Sequence, residues 1–239
     1  MKKLNHRASF FTFALVFMMV FAGIVLAAAA TGYTLFGTAT LVSPGNNSPT
    51  GAQTSSEGPL ETLTVGGIDF DTADGLTFED LTKLSTDYKF TEGTCGGGSP
   101  RFQVNVIQGG VEKNIFVYIG PEPNYTNCPT GTWQSTGDLL ESARLIDTSQ
   151  LTGGNFYQSY ADALAAFGDL EVTGIQLVTD GGWQADQTVI FDNVMINNTT
   201  YTFESKDSCK DGGWENFTGA PGPFRNQGQC VSYFARGGQ

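Results

Sequence analysis

Histidine is all but missing from this chain: the only one, His6, falls inside an N-terminal leader. Past that leader there is no imidazole, which excludes Ser-His-Asp and Cys-His machinery, His-ligated zinc or copper and an imidazole general base. Catalysis, if any, is left to carboxylates, Tyr, Lys or Arg, as in glycoside hydrolysis or carbohydrate elimination. Basic residues are scarce as well, 12 Lys and Arg against 24 Asp and Glu. That balance opposes nucleic acid and anionic lipid, whose phosphates demand clustered positive charge. Long apolar runs are absent except for one at the start of the chain.

That one run extends from Phe10 to Leu26, interrupted by Thr12 and Gly23, behind Lys2, Lys3 and Arg7 and ahead of Ala27 to Ala30. A basic end, a short apolar centre and small residues together describe an export signal over residues 1–30. A retained anchor is the rival reading, since the run nearly reaches the roughly 18 to 20 residues of a spanning helix; the several small-x-small sites in the alanine run favour cleavage. The expectation is a secreted or cell-surface protein with no membrane contact after cleavage. Removing the leader leaves 9 basic against 24 acidic residues, a balance of −15, which suits solubility outside the cell.

The four cysteines are Cys95, Cys128, Cys209 and Cys230. In an exported chain an even number predicts disulfides. Of three connectivities, Cys95 with Cys128 and Cys209 with Cys230 is favoured, because each pair brackets its own Gly-rich segment. A four-thiolate zinc site is the alternative, but the close Cys-x-x-Cys pairs it uses are absent.

Strands are predicted at 33–41, 63–70 with a bulge or tight turn at Gly66-Gly67, 102–106, 115–119, 172–177 and 188–196. Gly109-Gly110 marks a hairpin turn between the third and fourth of these. The last is apolar on both faces and is expected to be central. Residues 45–59, rich in Ser, Thr, Asn, Gly and Pro, read as a linker. One helix is predicted from Phe156 to Leu170, with Asn155 and Gln158 as a cap pair and Gly168 as a stop. From 206 to 239 aliphatic residues nearly vanish, so this tail is expected to be small and pinned by Cys209 and Cys230. The fold expected is all-β: a two-sheet jelly-roll-like β-sandwich over 31–205 with one short helix and a disulfide-pinned tail.

The run from Leu170 to Ile196, with its turn Asp180-Gly181-Gly182-Trp183 and its closing Val189-Ile190-Phe191-Asp192-Asn193-Val194, resembles the end of a jelly-roll carbohydrate-binding module or galactose-binding-like domain. The tail, Cys209-Lys210-Asp211-Gly212-Gly213-Trp214 and then Asn226-Gln227-Gly228-Gln229-Cys230-Val231, is similar to an ending found on exported bacterial proteins of unknown function. The first resemblance implies a sandwich that binds carbohydrate and often carries a structural calcium ion; the second implies a secreted module and no activity.

Asp192 shares a face with Ile190 and Val194 in an extended strand, and a buried carboxylate needs a partner. Two readings stay open: calcium bridged to Asp69 or Asp71 and backbone carbonyls, or a carboxylate capping a turn through N–H groups. Asp69, Asp71 and Asp74 lack the spacing of an EF-hand, with Ala73 where a ligand belongs. Trp133, Trp183 and Trp214 in Gly-rich turns, with Tyr118 and Tyr125, are candidates to stack on sugar rings; the alternative is that such aromatics close the ends of the core or cover disulfides. Sequons at Asn46, Asn124, Asn197, Asn198 and Asn216 arise readily by chance in an Asn- and Thr-rich chain.

The leading expectation is a non-catalytic module binding carbohydrate or a cell-surface polymer. A structural cell-surface or matrix protein that self-associates comes second, and a carboxylate-based glycoside hydrolase or lyase third.

Overall fold

The computed structural model describes residues 29–30, 32–57, 64–181, 186–219 and 221–236. The remainder of the leader and Trp183 lie outside the described residues.

Two antiparallel sheets pack face to face as a sandwich. The five-stranded sheet runs β2 (Tyr33–Gly37), β5 (Val65–Phe70), β12 (Val172–Asp180), β7 (Arg101–Gln108), β8 (Val111–Tyr118). The seven-stranded sheet is centred on β13 (Gln187–Ile196). On one side β13 pairs with β6 (Leu84–Glu92), itself edged by β9 (Gln134–Ser135). On its other side it pairs first with β4 (Gly51–Ser56) and then with β14 (Thr199–Tyr201), which are flanked in turn by β3 (Thr40–Val42) and by Ala29–Ala30 (β1). A small hairpin of β10 (Leu145–Ile146) and β11 (Gln158–Ser159) lies apart. Ile68, Phe102, Val104, Ile115, Val117, Ile175 and Leu177 from one sheet meet Phe90, Val189, Phe191, Val194 and Ile196 from the other, all essentially inaccessible.

Several expectations are corrected by specific contacts. The strand expected over 33–41 is two strands in different sheets. The chain turns at Gly37, whose φ of +61° suits glycine, and Thr38 Oγ1 then bonds both Ser55 O and Ser55 N. The supposed linker contains β4, whose Ala52, Thr54 and Ser56 are buried beside β13. Its polar composition hid a core strand because Thr54 Oγ1 is satisfied across the sandwich by Thr179 Oγ1 at 2.6 Å. Gly66 and Gly67 form no bulge, since they stay in register with β2 and β12. A Cβ on Gly67 would lie 2.4 Å from Phe36 Cζ, so the glycine makes room for that ring. The hairpin between β7 and β8 does turn on Gly109-Gly110, both at positive φ.

β13 is central as expected, but its two apolar faces are an artefact of counting through a bulge. Asp192 faces Asp87 while Met195 faces Ser85, so β13 carries one extra residue here, at Asn193 with φ +48°. The extra residue flips the alternation and turns Val194 and Ile196 onto the same core as Val189 and Phe191. Asp192 is left on the outer face of the sheet, under residues 43–50. Asn193→Ala should cost about 1–2 kcal/mol, because alanine tolerates the left-handed region poorly and the Asn193 Nδ2 bond to Asp87 at 2.9 Å is lost. Urea midpoints check this, and an unchanged midpoint would show that the bulge does not depend on Asn193.

The helix starts later than predicted: α1 is Tyr160–Phe167, capped by Ser159, whose side chain accepts from Asp162 N. Phe156 and Tyr157 therefore stay in the preceding loop. The tail adds a second helix, α2 (Gln227–Ala235), capped by Asn226. Both disulfides form as Cys95–Cys128 and Cys209–Cys230. The first belongs to the sandwich core, and the second anchors a separate cluster with Phe217 and Phe224. Among the described residues no helix is long and apolar enough to cross a membrane.

Candidate functional site

In the five-stranded sheet, alternation sends Phe102, Val104, Val106, Ile115, Val117, Ile175 and Leu177 into the core and their neighbours outward. Register then sets the outward side chains in rows. One row is Phe36, Gly67, Val178, Arg101 and Tyr118; the next is Thr34, Asp69, Gln176, Gln103 and Phe116; a third holds Gly174, Asn105 and Asn114. Amides thus occupy the middle of the face. Gln103 Nε2 donates to Gln176 Oε1 at 3.1 Å and to Asn105 Oδ1 at 3.2 Å, linking three side chains across two strands.

At the β8 end the face deepens into a pocket of about 310 Å³ lined by Arg101, Phe116, Tyr118, Asp147, Asp180 and Phe156, among others. Arg101 is held flat. Its two terminal nitrogens grip Asp180 at 2.9 and 2.8 Å, and its guanidinium carbon sits 4.6 Å from the centre of the Phe116 ring. Such a bidentate, stacked guanidinium is fixed in orientation. Tyr118 donates to Asp147 Oδ2 at 2.5 Å, and Ser149 N donates to Oδ1. Burial first, then Asp147, pushes the Tyr118 phenol well above its ordinary range. Phe156, 58% exposed, forms the outer rim, with Tyr157 against it.

Of the aromatics named from the sequence, Tyr118 and Tyr125 are in contact and Trp133 lies on the other sheet, while Trp183 is outside the described residues. Tyr118 reaches this pocket, but it is only 3% exposed and its hydroxyl is taken, so it is a wall and not an open stacking face. Tyr125 is buried, its OH 2.6 Å from Leu145 O and its ring 5.1 Å from that of Tyr118. Trp133 is half-buried at the edge of the other sheet, just before β9. The residues that sequence reasoning missed are Arg101, Gln103, Asn105, Phe116, Phe156, Gln176 and Asp180. One signal was available for the amides: in β7 the residues opposite the apolar set are Gln and Asn.

Asp192 is a second site. It is fully buried, Oδ2 accepting from Asn46 N at 2.7 Å and Ser48 Oγ at 2.6 Å, and Oδ1 from Asn193 N at 2.8 Å. Its neighbour is Glu204, 2% exposed, with Oε1 accepting from Thr50 N and Oε2 without a hydrogen-bond partner. Burial, then the charge of Glu204, pushes Asp192 up to about 7, and burial raises Glu204 too. Asp69 and Asp71 are not part of this group: they are exposed at the end of β5, in the opposite sheet. The expected set of three therefore does not assemble, and among the described residues no three acidic, His or Cys side chains gather at one point. What does converge is oxygen. These oxygens pack tightly against Gly45: a Cβ there would lie 2.2 Å from Ser48 Oγ and 2.5 Å from both Asp192 Oδ2 and Thr50 O, so only glycine fits. Asp192 and Glu204, with Ser48 Oγ and Thr50 O beside them, are the residues that could hold a cation here.

No protein family and no curated protein matches the chain. Among solved structures, the xyloglucanase domain of NopAA, a type three effector from Sinorhizobium fredii, in complex with cellobiose, is similar at 14% identity and a TM-score of 0.33, covering 71% of this chain and 94% of that one. An exo-β-agarase is similar at 16% identity and a TM-score of 0.34, covering 70% of this chain and 23% of that one. Both neighbours are carbohydrate-active proteins, and overlaps this loose transfer no site.

Proposed function

We propose that this protein is a non-catalytic module that binds carbohydrate on the outer face of its five-stranded sheet. The observation that carries the reading is the row of linked amides, Gln103, Gln176 and Asn105, leading to a pocket with Phe116 on its floor and Phe156 at its rim. Amide donors and acceptors in fixed positions meet sugar hydroxyls, while aromatic faces cover the apolar faces of pyranose rings. Binding is favoured over hydrolysis because the pocket's two carboxylates are already engaged, Asp180 by Arg101 and Asp147 by Tyr118 and Ser149 N. A proton-transferring pair needs its oxygens within reach of substrate. Two disulfides suit an oxidising compartment, in keeping with export.

The test is affinity electrophoresis through gels containing soluble polysaccharides, xyloglucan and agarose included, with the Gln103→Ala/Gln176→Ala double variant alongside. Retention should weaken at least about tenfold, or about 1.4 kcal/mol, with little change in melting temperature, since both side chains are only half-buried. A protein retained by no polysaccharide would remove the reading.

We also infer a structural calcium ion held by Asp192, Glu204, Ser48 Oγ and Thr50 O. Two buried carboxylates with no facing cation among the described residues, one of them with an orphaned oxygen, support it. Its role would be to fasten residues 43–50 to the sheet; it touches no part of the sugar face.

A further inference from the structure

Resting on the carbohydrate reading, we propose that the ligand is an uncharged glycan, one ring of which enters the 310 Å³ pocket between Phe116 and Phe156. The charges around the face are uneven. Asp69, Asp147 and Asp180 belong to the face or its pocket, and Glu112 stands at its far end, bonded to Thr173. Arg101 is the only cation among the pocket's lining residues, and both of its terminal nitrogens are committed to Asp180. Among the pocket's described lining residues, no free terminal guanidinium nitrogen or ammonium is therefore offered to a uronate or sulfate, and an acidic chain entering there meets like charge. At the centre the recognising groups are neutral amides, which exchange hydrogen bonds with hydroxyls without asking for charge. The whole chain carries a net charge of −12, which adds to the long-range repulsion.

The pocket limits what can enter. Its volume is at the low end of the roughly 300–1,000 Å³ of ligand pockets, so it takes a unit of monosaccharide size and not a long segment. Phe116 lies under Arg101 on the floor, and Phe156 stands at the rim with 58% of its surface exposed. Phe156 is therefore the side chain that can gain the most buried area from a ring seated below it. Its position in the loop before α1 leaves it supported by Tyr157, ring centres 6.1 Å apart. Tyr157 in turn lies 5.6 Å from Tyr125, inside the fold.

The experiment uses the full oxidised protein in gels cast with neutral polymers, mixed-linkage β-glucan and galactomannan, and with acidic ones, alginate and polygalacturonate, at low and at physiological salt. Expected is retention by at least one neutral polymer, none by the acidic ones at low salt, and a loss of retention of tenfold or more in Phe156→Ala. Because Phe156 is exposed, that variant should melt with the wild type. Retention by alginate or polygalacturonate equal to or stronger than by the neutral polymers overturns this inference and leaves the carbohydrate reading standing. Neutral retention that is indifferent to Phe156→Ala overturns the pocket assignment. Retention by nothing overturns both readings.

Discussion

Replacing Cys95 and Cys128 together by alanine should lower the stability of the sandwich by about 4 kcal/mol. The two residues are 33 apart, and in the chain-entropy account the cross-link removes about that much freedom from the unfolded chain. Both sulfurs lie in the main core, Cys95 fully buried and Cys128 nearly so, so the double variant also leaves apolar volume unfilled. With a urea slope of about 2 kcal/mol per molar for a chain this size, the midpoint should fall by about 2 M. The Cys209→Ala/Cys230→Ala variant is the control. Its bridge serves the tail cluster alone, so the tail should open while the sandwich transition keeps its midpoint. A shift below about 1 kcal/mol for the first pair would show that the strands around Cys95 hold without the link.

Calcium should raise the melting temperature by about 5–10 °C at neutral pH, and a chelator should reverse the change. An ion that binds only the folded chain at about a hundred times its dissociation constant adds about 2.7 kcal/mol, and each kcal/mol moves the melting point of a chain this long by about 2–4 °C. Magnesium should do less, because it keeps its own water and demands a tighter geometry. In Asp192→Asn the calcium response should vanish, with one ligand charge gone and Glu204 alone. Identical melting in chelator and in millimolar calcium would sink the ion reading and leave Asp192 as a turn cap bonded to Asn46, Ser48 and Asn193.

What could be read from the sequence divides along physical lines. Strands that bury large apolar residues on one face, such as β7 and β8, announce themselves by alternation, and their hairpin by Gly109-Gly110. The cysteine pairing formed is the one in which each pair brackets its own Gly-rich segment. β4 stayed hidden because Gly-Ala-Gln-Thr-Ser-Ser has no bulky apolar residue; its burial rests on the Thr54 to Thr179 bond, which links residues far apart in the chain. The start of α1 was misplaced because Phe156 and Tyr157 continue the helical spacing by coincidence, although Ser159 and Asp162 mark the true cap. The same misreading hid the rim of the pocket. Glu204 was invisible as a partner of Asp192, since nothing local distinguishes it from the other acidic residues.

The arrangement of β13 also bears on how this chain comes to be folded. Its partners β4 and β6 are made well before it, so the middle of the larger sheet stays vacant until the chain has been synthesised to about Ile196. Pairings between such distant segments form slowly. Before then, the edges of β4 and β6 have no neighbour in common, and a nascent chain stopped short of β13 could not hold a closed sandwich. A chain truncated before Gln187 is thus expected to remain open and prone to strand-to-strand association, the state that a late-arriving central strand is placed to end.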